Sequence, residues 1–245
     1  MKIFVLLSFI SMLMLQQSSF KETQRAHSRV KAAYEEKEHV VKEYFTNKNF
    51  SFTRFRMFLR AFKKEQLLEV WIQEKDKDTF ELLHTYNFCT TSGVLGPKRK
   101  EGDLQIPEGV YYINHFNPQS NFHLSLGINY PNASDKILSH ATTPGGSIYI
   151  HGNCVTIGCI PITDDKIKEL YVMAVEARTN GQTKIPVHIF PTRLDKGNLE
   201  QLITELHPTD AITNFWKNLV PVYQDFESTR KLKAVKVNSR GEYYF

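Results

Sequence analysis

The sequence predicts a mainly β protein, a sandwich or barrel-like sheet, with one helix braced against it and helical appendages at both ends. Between residues 53 and 191, short β-favouring runs are separated by Gly-, Pro- and Asn-rich connections, which is the pattern of strands joined by turns. Before and after this region, apolar residues recur at helical spacing. A length of 245 residues suits one main domain with appendages rather than two full domains.

The first 19 residues have the pattern of a secretory signal peptide. Lys2 precedes an apolar run from residue 3 to residue 15, and small polar residues follow it, as in signal peptides. The run is shorter than the roughly 18 to 20 residues of a membrane span, and an uncleaved anchor is the alternative. We therefore expect an exported protein, periplasmic or otherwise extracytoplasmic, with no stable membrane span after signal removal.

Three further segments are expected. Residues 20–52 predict a charged helical segment that docks through a thin apolar stripe made of Val30, Ala33, Tyr34, Val40, Val41 and Tyr44. Residues 53–195 predict the main domain, with strands at 67–72, 80–86, 110–113, 123–126, 147–150 and 186–190 and a helix capped by Thr163. Residues 196–245 predict two helices and a closing hairpin around residues 238–241.

Charge and cysteine content narrow the classes of function. The net charge is +5, but the basic residues are scattered and form neither a stripe nor a known reader motif, so a nucleic-acid partner is not expected. An exported chain with three cysteines leaves at least one thiol free or intermolecular. For Cys154, a small core side chain is favoured over a disulfide with Cys89, a resolving thiol, or a disulfide with Cys159.

Residues 151–159 contain the most informative motif. His151 and Cys159 lie eight positions apart in a short, glycine-flanked segment after an apolar run. A thiol becomes a strong nucleophile beside a base, most commonly an imidazole, and Gly158 permits a tight turn whose N–H groups could bind an oxyanion. We interpret Cys159 as a nucleophile and His151 as its base. The alternatives are an inert buried thiol and a core histidine.

A zinc site is the competing interpretation of the same segment. Its ligands would be His140, His151, Cys154 and Cys159, but a Cys-x4-Cys spacing without a second pair is a poor match to structural zinc sites. We therefore expect neither a metal nor another cofactor.

Residues 150–164 resemble the L,D-transpeptidase catalytic-domain family of peptidoglycan enzymes. The family pattern, a His-Gly pair followed by a loop and Ser/Thr-x-Gly-Cys, stands here as His151-Gly152 and Thr156-Ile157-Gly158-Cys159. Residues 92–98, 102–111 and 129–132 match as well, so the resemblance covers about residues 54–193. The spacing is most similar to the periplasmic murein transpeptidase-related subgroup, some members of which detach a murein-bound outer-membrane lipoprotein.

The resemblance implies acyl transfer on peptidoglycan stem peptides. The Cys159 thiolate would attack the carbonyl at the L-centre of a diamino acid, with His151 as base and the Gly152 carbonyl orienting the imidazole. A thioester at Cys159 would then be resolved by water or an amine. The expected partners are stem peptides and a murein-linked outer-membrane protein. A non-catalytic wall-binding protein on the same fold is the alternative.

Two residues depart from the family pattern at positions that bear on the choice of reaction, and three further residues are candidates for contact with the substrate. Ile157 stands where the commonest pattern has His, and Pro161 where it has Arg, which favours cleavage or exchange over cross-link synthesis. Thr156, Tyr149 and Tyr111 are expected to bind substrate. The alternative for each is packing within a strand.

Overall fold

The computed structural model describes residues 19–139 and 142–245. Its strands are β1 (Phe55–Phe62), β2 (Leu67–Glu74), β3 (Glu81–Asn87), β4 (Gly109–Asn117), β5 (Ser125–Ile128), β6 (Tyr149–His151), β7 (Ile160–Pro161), β8 (Ile185–Phe190), β9 (Lys236–Val237) and β10 (Tyr243–Tyr244). Its helices are α1 (Phe20–Arg25), α2 (Ser28–Asn47), α3 (Ala133–Leu138), α4 (Asp164–Thr179), α5 (Asn198–Leu206) and α6 (Asp210–Thr229). The predicted signal lies outside the described residues except for Ser19, whose side chain caps α1.

One curled, mixed sheet organises these elements. Its strand order is β3-β2-β1-β8-β4-β5-β6-β7, and β9 pairs with β10 in a separate hairpin. β1 runs parallel to β8, β6 runs parallel to β7, and the other neighbours are antiparallel. This architecture confirms the predicted fold class.

The two faces of the sheet pack against different helices, because alternate side chains of a strand point to opposite faces. Residues such as Leu59, Val187 and Ile150 form the main core with side chains of α2 and α4. On the other face, Phe62 and Phe190 pack with Trp216 and other side chains of α6. We call the first the inner face and the second the outer face.

Most predicted elements are present at slightly different bounds, but three predictions need correction. The N-terminal helix is broken at residues 26–27 into α1 and α2. The strands β1 and β7 and the short helix α3 were not predicted. Thr163 occupies the position before α4 with φ 73°, but its side chain makes no capping hydrogen bond.

The predicted division at residues 52/53 and 195/196 stays a prediction. Side chains of α2 belong to the same core as the sheet, so this helix is an integral part of the packing. Within residues 19–139 and 142–245, no helix combines the length and apolar character needed to cross a membrane.

Candidate active site

β6 and β7 bring His151 and Cys159 to the same face of the sheet. Ile150 pairs with Ile160, and His151 pairs with Pro161. Cys159 directly precedes β7 and therefore lies level with Tyr149. Tyr149 and His151 are two residues apart on β6 and point to the outer face, and the Cys159 side chain points to that face as well. The Tyr149 N–H donates toward the Cys159 Sγ at 3.4 Å. The two side chains singled out as nucleophile and base thus lie at the end of one strand and just before its neighbour.

The His151 imidazole is buried and held in one orientation. Its side chain is 1% exposed, and Nδ1 lies 2.5 Å from the Gly152 carbonyl oxygen. Because a carbonyl only accepts, Nδ1 carries the hydrogen and Nε2 keeps its lone pair. The Phe122 ring stacks on the imidazole with a centroid distance of 4.6 Å. Burial lowers the pKa of His151, and the Gly152 carbonyl opposes this shift. The imidazole is therefore neutral near pH 7.

The Cys159 side chain is a free thiol. Burial raises the pKa of this thiol, whereas the Tyr149 N–H and the Lys98 ammonium act in the opposite direction. The raised pKa of Cys159 and the lowered pKa of His151 both favour the uncharged form of the side chain. The pair therefore rests as a thiol and a neutral imidazole rather than as an ion pair. A proton must then pass from the thiol to the base as the sulfur attacks.

Lys98 is a charged group near this site that sequence reasoning missed. Lys98 begins a run of three basic residues, 98–100, in a loop that contains Gly and Pro. Such a run is typical of a solvated surface, yet Lys98 is buried. Its ammonium pairs with Asp103 at 2.5 Å and donates to the Lys100 carbonyl. Three backbone N–H groups fix that carboxylate in turn.

The Thr156 hydroxyl shapes the loop that carries the nucleophile. Its oxygen accepts hydrogen bonds from the N–H groups of Gly158, at 3.2 Å, and Cys159, at 2.8 Å. It also donates to the Cys159 carbonyl at 2.8 Å. The hydroxyl is thus saturated within the loop in this conformation, and the contact of Thr156 with substrate stays a prediction. The same bonds occupy the N–H groups expected to bind an oxyanion.

Gly152 and Gly158 lie where a side chain does not fit. A Cβ on Gly152 would lie 2.5 Å from an oxygen of Asp164 and 2.7 Å from the Phe122 carbonyl oxygen. Gly158 has φ 132°, and a Cβ there would lie 2.9 Å from the Gln105 carbonyl oxygen. Since contacts below 3 Å require the neighbours to move, both glycines are needed for the close packing around the site.

A disulfide fastens the same loop. Cys89, two residues after β3, is bonded to Cys154, with the two Cα atoms 5.6 Å apart. Cys154 is exposed, so the favoured expectation of a small core side chain is wrong and the Cys89–Cys154 alternative is correct. The Cys89 N–H also donates to the Pro161 carbonyl. A disulfide-bonded Cys154 does not serve as a zinc ligand, and His140 lies outside the described residues.

Tyr111, one of the residues expected to bind substrate, is a buried side chain. It is 2% exposed, and its hydroxyl donates to Asp135, at 3.0 Å, and lies at the same distance from the Glu108 carbonyl. Tyr111 therefore packs in the core, and its contact with substrate stays a prediction. Tyr149 remains half-buried on the outer face beside the thiol.

A sequence profile described as the L,D-transpeptidase catalytic domain matches residues 58–189. This range is more than half of the 245 residues and extends from β1 to β8. The chain belongs to the L,D-transpeptidase family. Membership supports, in general terms, a peptidoglycan-acting cysteine enzyme, and the matched range includes both His151 and Cys159.

Individual members and solved structures are similar to this L,D-transpeptidase-family chain to different degrees. YafK of Escherichia coli K12, whose name assigns it to the L,D-transpeptidases, is 34% identical over 183 residues, which are 74% of this chain and 70% of YafK. The helical cell shape determining protein Pgp2 from Campylobacter jejuni aligns with 81% of this chain and 80% of its own, at 18% identity and a TM-score of 0.45. L,D-transpeptidase 1 of Mycobacterium tuberculosis aligns with 55% of this chain and 62% of its own, at 14% identity and a TM-score of 0.30.

In this family member, Phe122 and Arg29 are further residues at the site that the sequence did not reveal. The Arg29 guanidinium, at the start of α2, donates to the Ser120 and His123 carbonyl oxygens at 2.5 and 2.8 Å. These bonds hold the segment that places Phe122 on His151. A lone exposed phenylalanine in a polar loop and an arginine in a charged helix carry no local signal of this arrangement.

Proposed function

We propose that this chain is an exported cysteine acyl-transferase or hydrolase of peptidoglycan stem peptides, with Cys159 as nucleophile and His151 as base. The observation that carries the proposal is the free Cys159 thiol on the same sheet face as an imidazole whose Nδ1–H is held by the Gly152 carbonyl. That hydrogen bond leaves Nε2 as the proton acceptor. A wall-binding module without chemistry has no need for this arrangement.

The proposed reaction combines these positions with the acyl transfer that the family resemblance implies. The Cys159 sulfur attacks the carbonyl at the L-centre of the diamino acid while His151 Nε2 takes the thiol proton. The tetrahedral intermediate collapses to a thioester, and the imidazolium returns the proton to the leaving amine. Water or a second amine, deprotonated by His151, then attacks the thioester and releases the thiol. Because Thr156 occupies the Gly158 and Cys159 N–H groups, the Tyr149 N–H beside the sulfur is the donor we assign to the oxyanion.

Cleavage or exchange is favoured over cross-link synthesis. Ile157, in place of the family's histidine, is 78% exposed, and Pro161, in place of its arginine, is buried beside His151. Neither position can bind a substrate carboxylate through a cation. The exposed apolar side chains of Phe122, Val155 and Ile157 suit contact with a polypeptide, which supports a murein-linked outer-membrane protein as a partner.

An extracytoplasmic, periplasmic location completes the proposal. The N-terminal signal pattern supports export, and a disulfide such as Cys89–Cys154 persists in oxidising compartments and is rare in the cytosol.

Intact-mass spectrometry of the mature protein with a carbapenem and purified muropeptides tests this function. Since thioester chemistry acylates the nucleophile, we expect a covalent carbapenem adduct on the wild type and none on Cys159→Ala. Released stem fragments would identify a hydrolase, and amine-exchanged products a transpeptidase. If reduced Cys159 forms no adduct and every muropeptide is unchanged, the chain is a wall-binding protein instead.

The stacked Phe122 ring gives a prediction about pH. Phe122→Leu is expected to admit water to His151 and to raise its pKa toward the ordinary value of about 6.5. Because His151 must be unprotonated to accept the thiol proton, the acid limb of the pH profile for carbapenem acylation should move to higher pH. Acylation rates measured by mass spectrometry across this limb report the shift. Phe245→Leu, which changes an exposed phenylalanine at the C-terminus, should leave the limb in place; an unmoved limb in Phe122→Leu would contradict the role of burial.

A further inference from the structure

A basic cavity lies at one end of the sheet, several strands from Cys159. Its volume is about 350 Å³, and it is formed where β1 begins, where β2 ends, and where the turn between α4 and β8 passes. The cations that line it are Arg54, Arg56, Lys75 and Lys184, and the described lining residues include no carboxylate. Arg54 pairs with Asp76 at 3.0 Å.

The other three cations lack such a partner. Among the described residues, no carboxylate lies within salt-bridge distance of Arg56, Lys75 or Lys184, although the chain has several exposed ion pairs elsewhere. Like charges that share a concave surface repel one another, and a bound anion removes that cost. The cavity is therefore chemically suited to a carboxylate or a phosphate, which an arginine fork recognises through two hydrogen bonds.

A row of solvent-accessible rings lies between this cavity and the thiol. Tyr112 pairs with Pro186 on β8, and His115 pairs with Gly127, which pairs in turn with Tyr149. Paired residues point to the same face, so Tyr112, His115 and Tyr149 all lie on the outer face with Cys159.

Side-chain contacts are present at both ends of this row. The Lys184 ammonium lies 4.6 Å from the centre of the Tyr112 ring, and the rings of His115 and Tyr149 are 6.3 Å apart. Gly127 leaves room for this contact, because a Cβ there would lie 3.0 Å from the Tyr149 ring. With five strand spacings between β7 and β1, the path from Cys159 to Arg56 is roughly 24 Å long.

We propose that the cavity of Arg56, Lys75 and Lys184 binds a carboxylate of the peptidoglycan polymer whose scissile carbonyl lies at Cys159. This inference rests on the proposed function. The rings between the two sites offer apolar contact to the intervening polymer at a low cost in conformational entropy. An extended polymer therefore gains a contact at the cavity that an isolated stem peptide does not make. We assign a carboxylate rather than a phosphate because the stem peptides of the proposed substrate carry carboxylates.

Co-sedimentation with insoluble peptidoglycan tests the cavity without turnover, in a Cys159→Ala background. Arg56→Gln/Lys184→Gln should weaken binding by about tenfold, since two charge-assisted contacts are lost. Lys196→Gln/Lys217→Gln removes the same charge from exposed positions of the C-terminal region and should bind as the parent does. Peptidoglycan freed of attached phosphate polymers should give the same result as untreated material.

Rates of the Cys159-containing enzyme provide a second readout. In Arg56→Gln/Lys184→Gln, KM for polymeric peptidoglycan should rise by a similar factor, whereas kcat and carbapenem acylation should not change. Equal binding by both double variants would overturn the cavity assignment, and a loss seen only with phosphate-bearing material would overturn the carboxylate assignment. Failure of the proposed function would appear separately, as the absence of a carbapenem adduct on the wild type.

Discussion

His151→Asn is expected to lower kcat/KM for muropeptides by about 10²- to 10⁴-fold, the usual contribution of a general base. The asparagine amide can replace the Nδ1–H as donor to the Gly152 carbonyl, so the local backbone keeps its hydrogen bond. It offers no nitrogen lone pair to the thiol. Because the pKa of Cys159 is raised by burial, little thiolate forms at neutral pH without a base, and acylation by a carbapenem should slow as well.

The control for this prediction is His39→Asn, which changes an exposed histidine of α2 and should leave both rates unchanged. Urea unfolding of each variant separates loss of chemistry from loss of fold. A folded His151→Asn protein that retains kcat/KM within a few-fold of the wild type would show that another group takes the proton.

The local part of the site could be predicted from the sequence because its members are close neighbours in the chain. His151 ends β6, and Gly152, Gly158 and Cys159 lie in the one loop that leads from it to β7. Their spacing alone therefore suggests their proximity. Their chemical roles remain proposals. Phe122, Arg29 and Lys98 reach the same site from distant segments, and nothing in their own surroundings indicates it.

The Thr156 hydroxyl shows a different limit of what a local sequence pattern can predict. A threonine beside a nucleophile can contact either the substrate or its own backbone, and the sequence does not distinguish these possibilities. The turn at Gly158, with φ 132°, directs two N–H groups to the Thr156 oxygen. The side chain therefore belongs to the loop.

The sequence did not predict β1, and the reason again involves interaction partners that are distant in the chain. Arg60 lies in the middle of this strand, and an unpaired buried charge would make a central strand unfavourable. In the structure, Arg60 is buried but bonds to Glu69 on β2 and to Glu227 on α6. The second partner is 167 residues away, so a local pattern gives no sign of this compensation.

A second buried ion pair supports the loop that packs against Gly158. The Lys63 ammonium donates to the carbonyl oxygens of Gly96 and Ile106, both at 2.8 Å, and pairs with Glu108 at 3.0 Å. Glu108 in turn accepts a hydrogen bond from the Gly96 N–H. The segment held in this way leads to Gln105, whose carbonyl limits the space at Gly158.

Lys63→Met should therefore lower the free energy of unfolding by about 3–5 kcal/mol, because it leaves the Glu108 charge buried without its partner. Lys64→Met is the matched control: its pair with Glu205 is exposed and should contribute about 0–1 kcal/mol. Lys63→Met/Glu108→Gln should recover part of the loss, since it removes the stranded charge and keeps an acceptor oxygen beside the Gly96 N–H. Urea unfolding measures all three, and a loss in Lys63→Met no larger than that in Lys64→Met would contradict a stabilising role of the buried pair. Carbapenem acylation of the folded single variant should also slow, because the Gln105 segment no longer holds the Gly158 turn against the nucleophile.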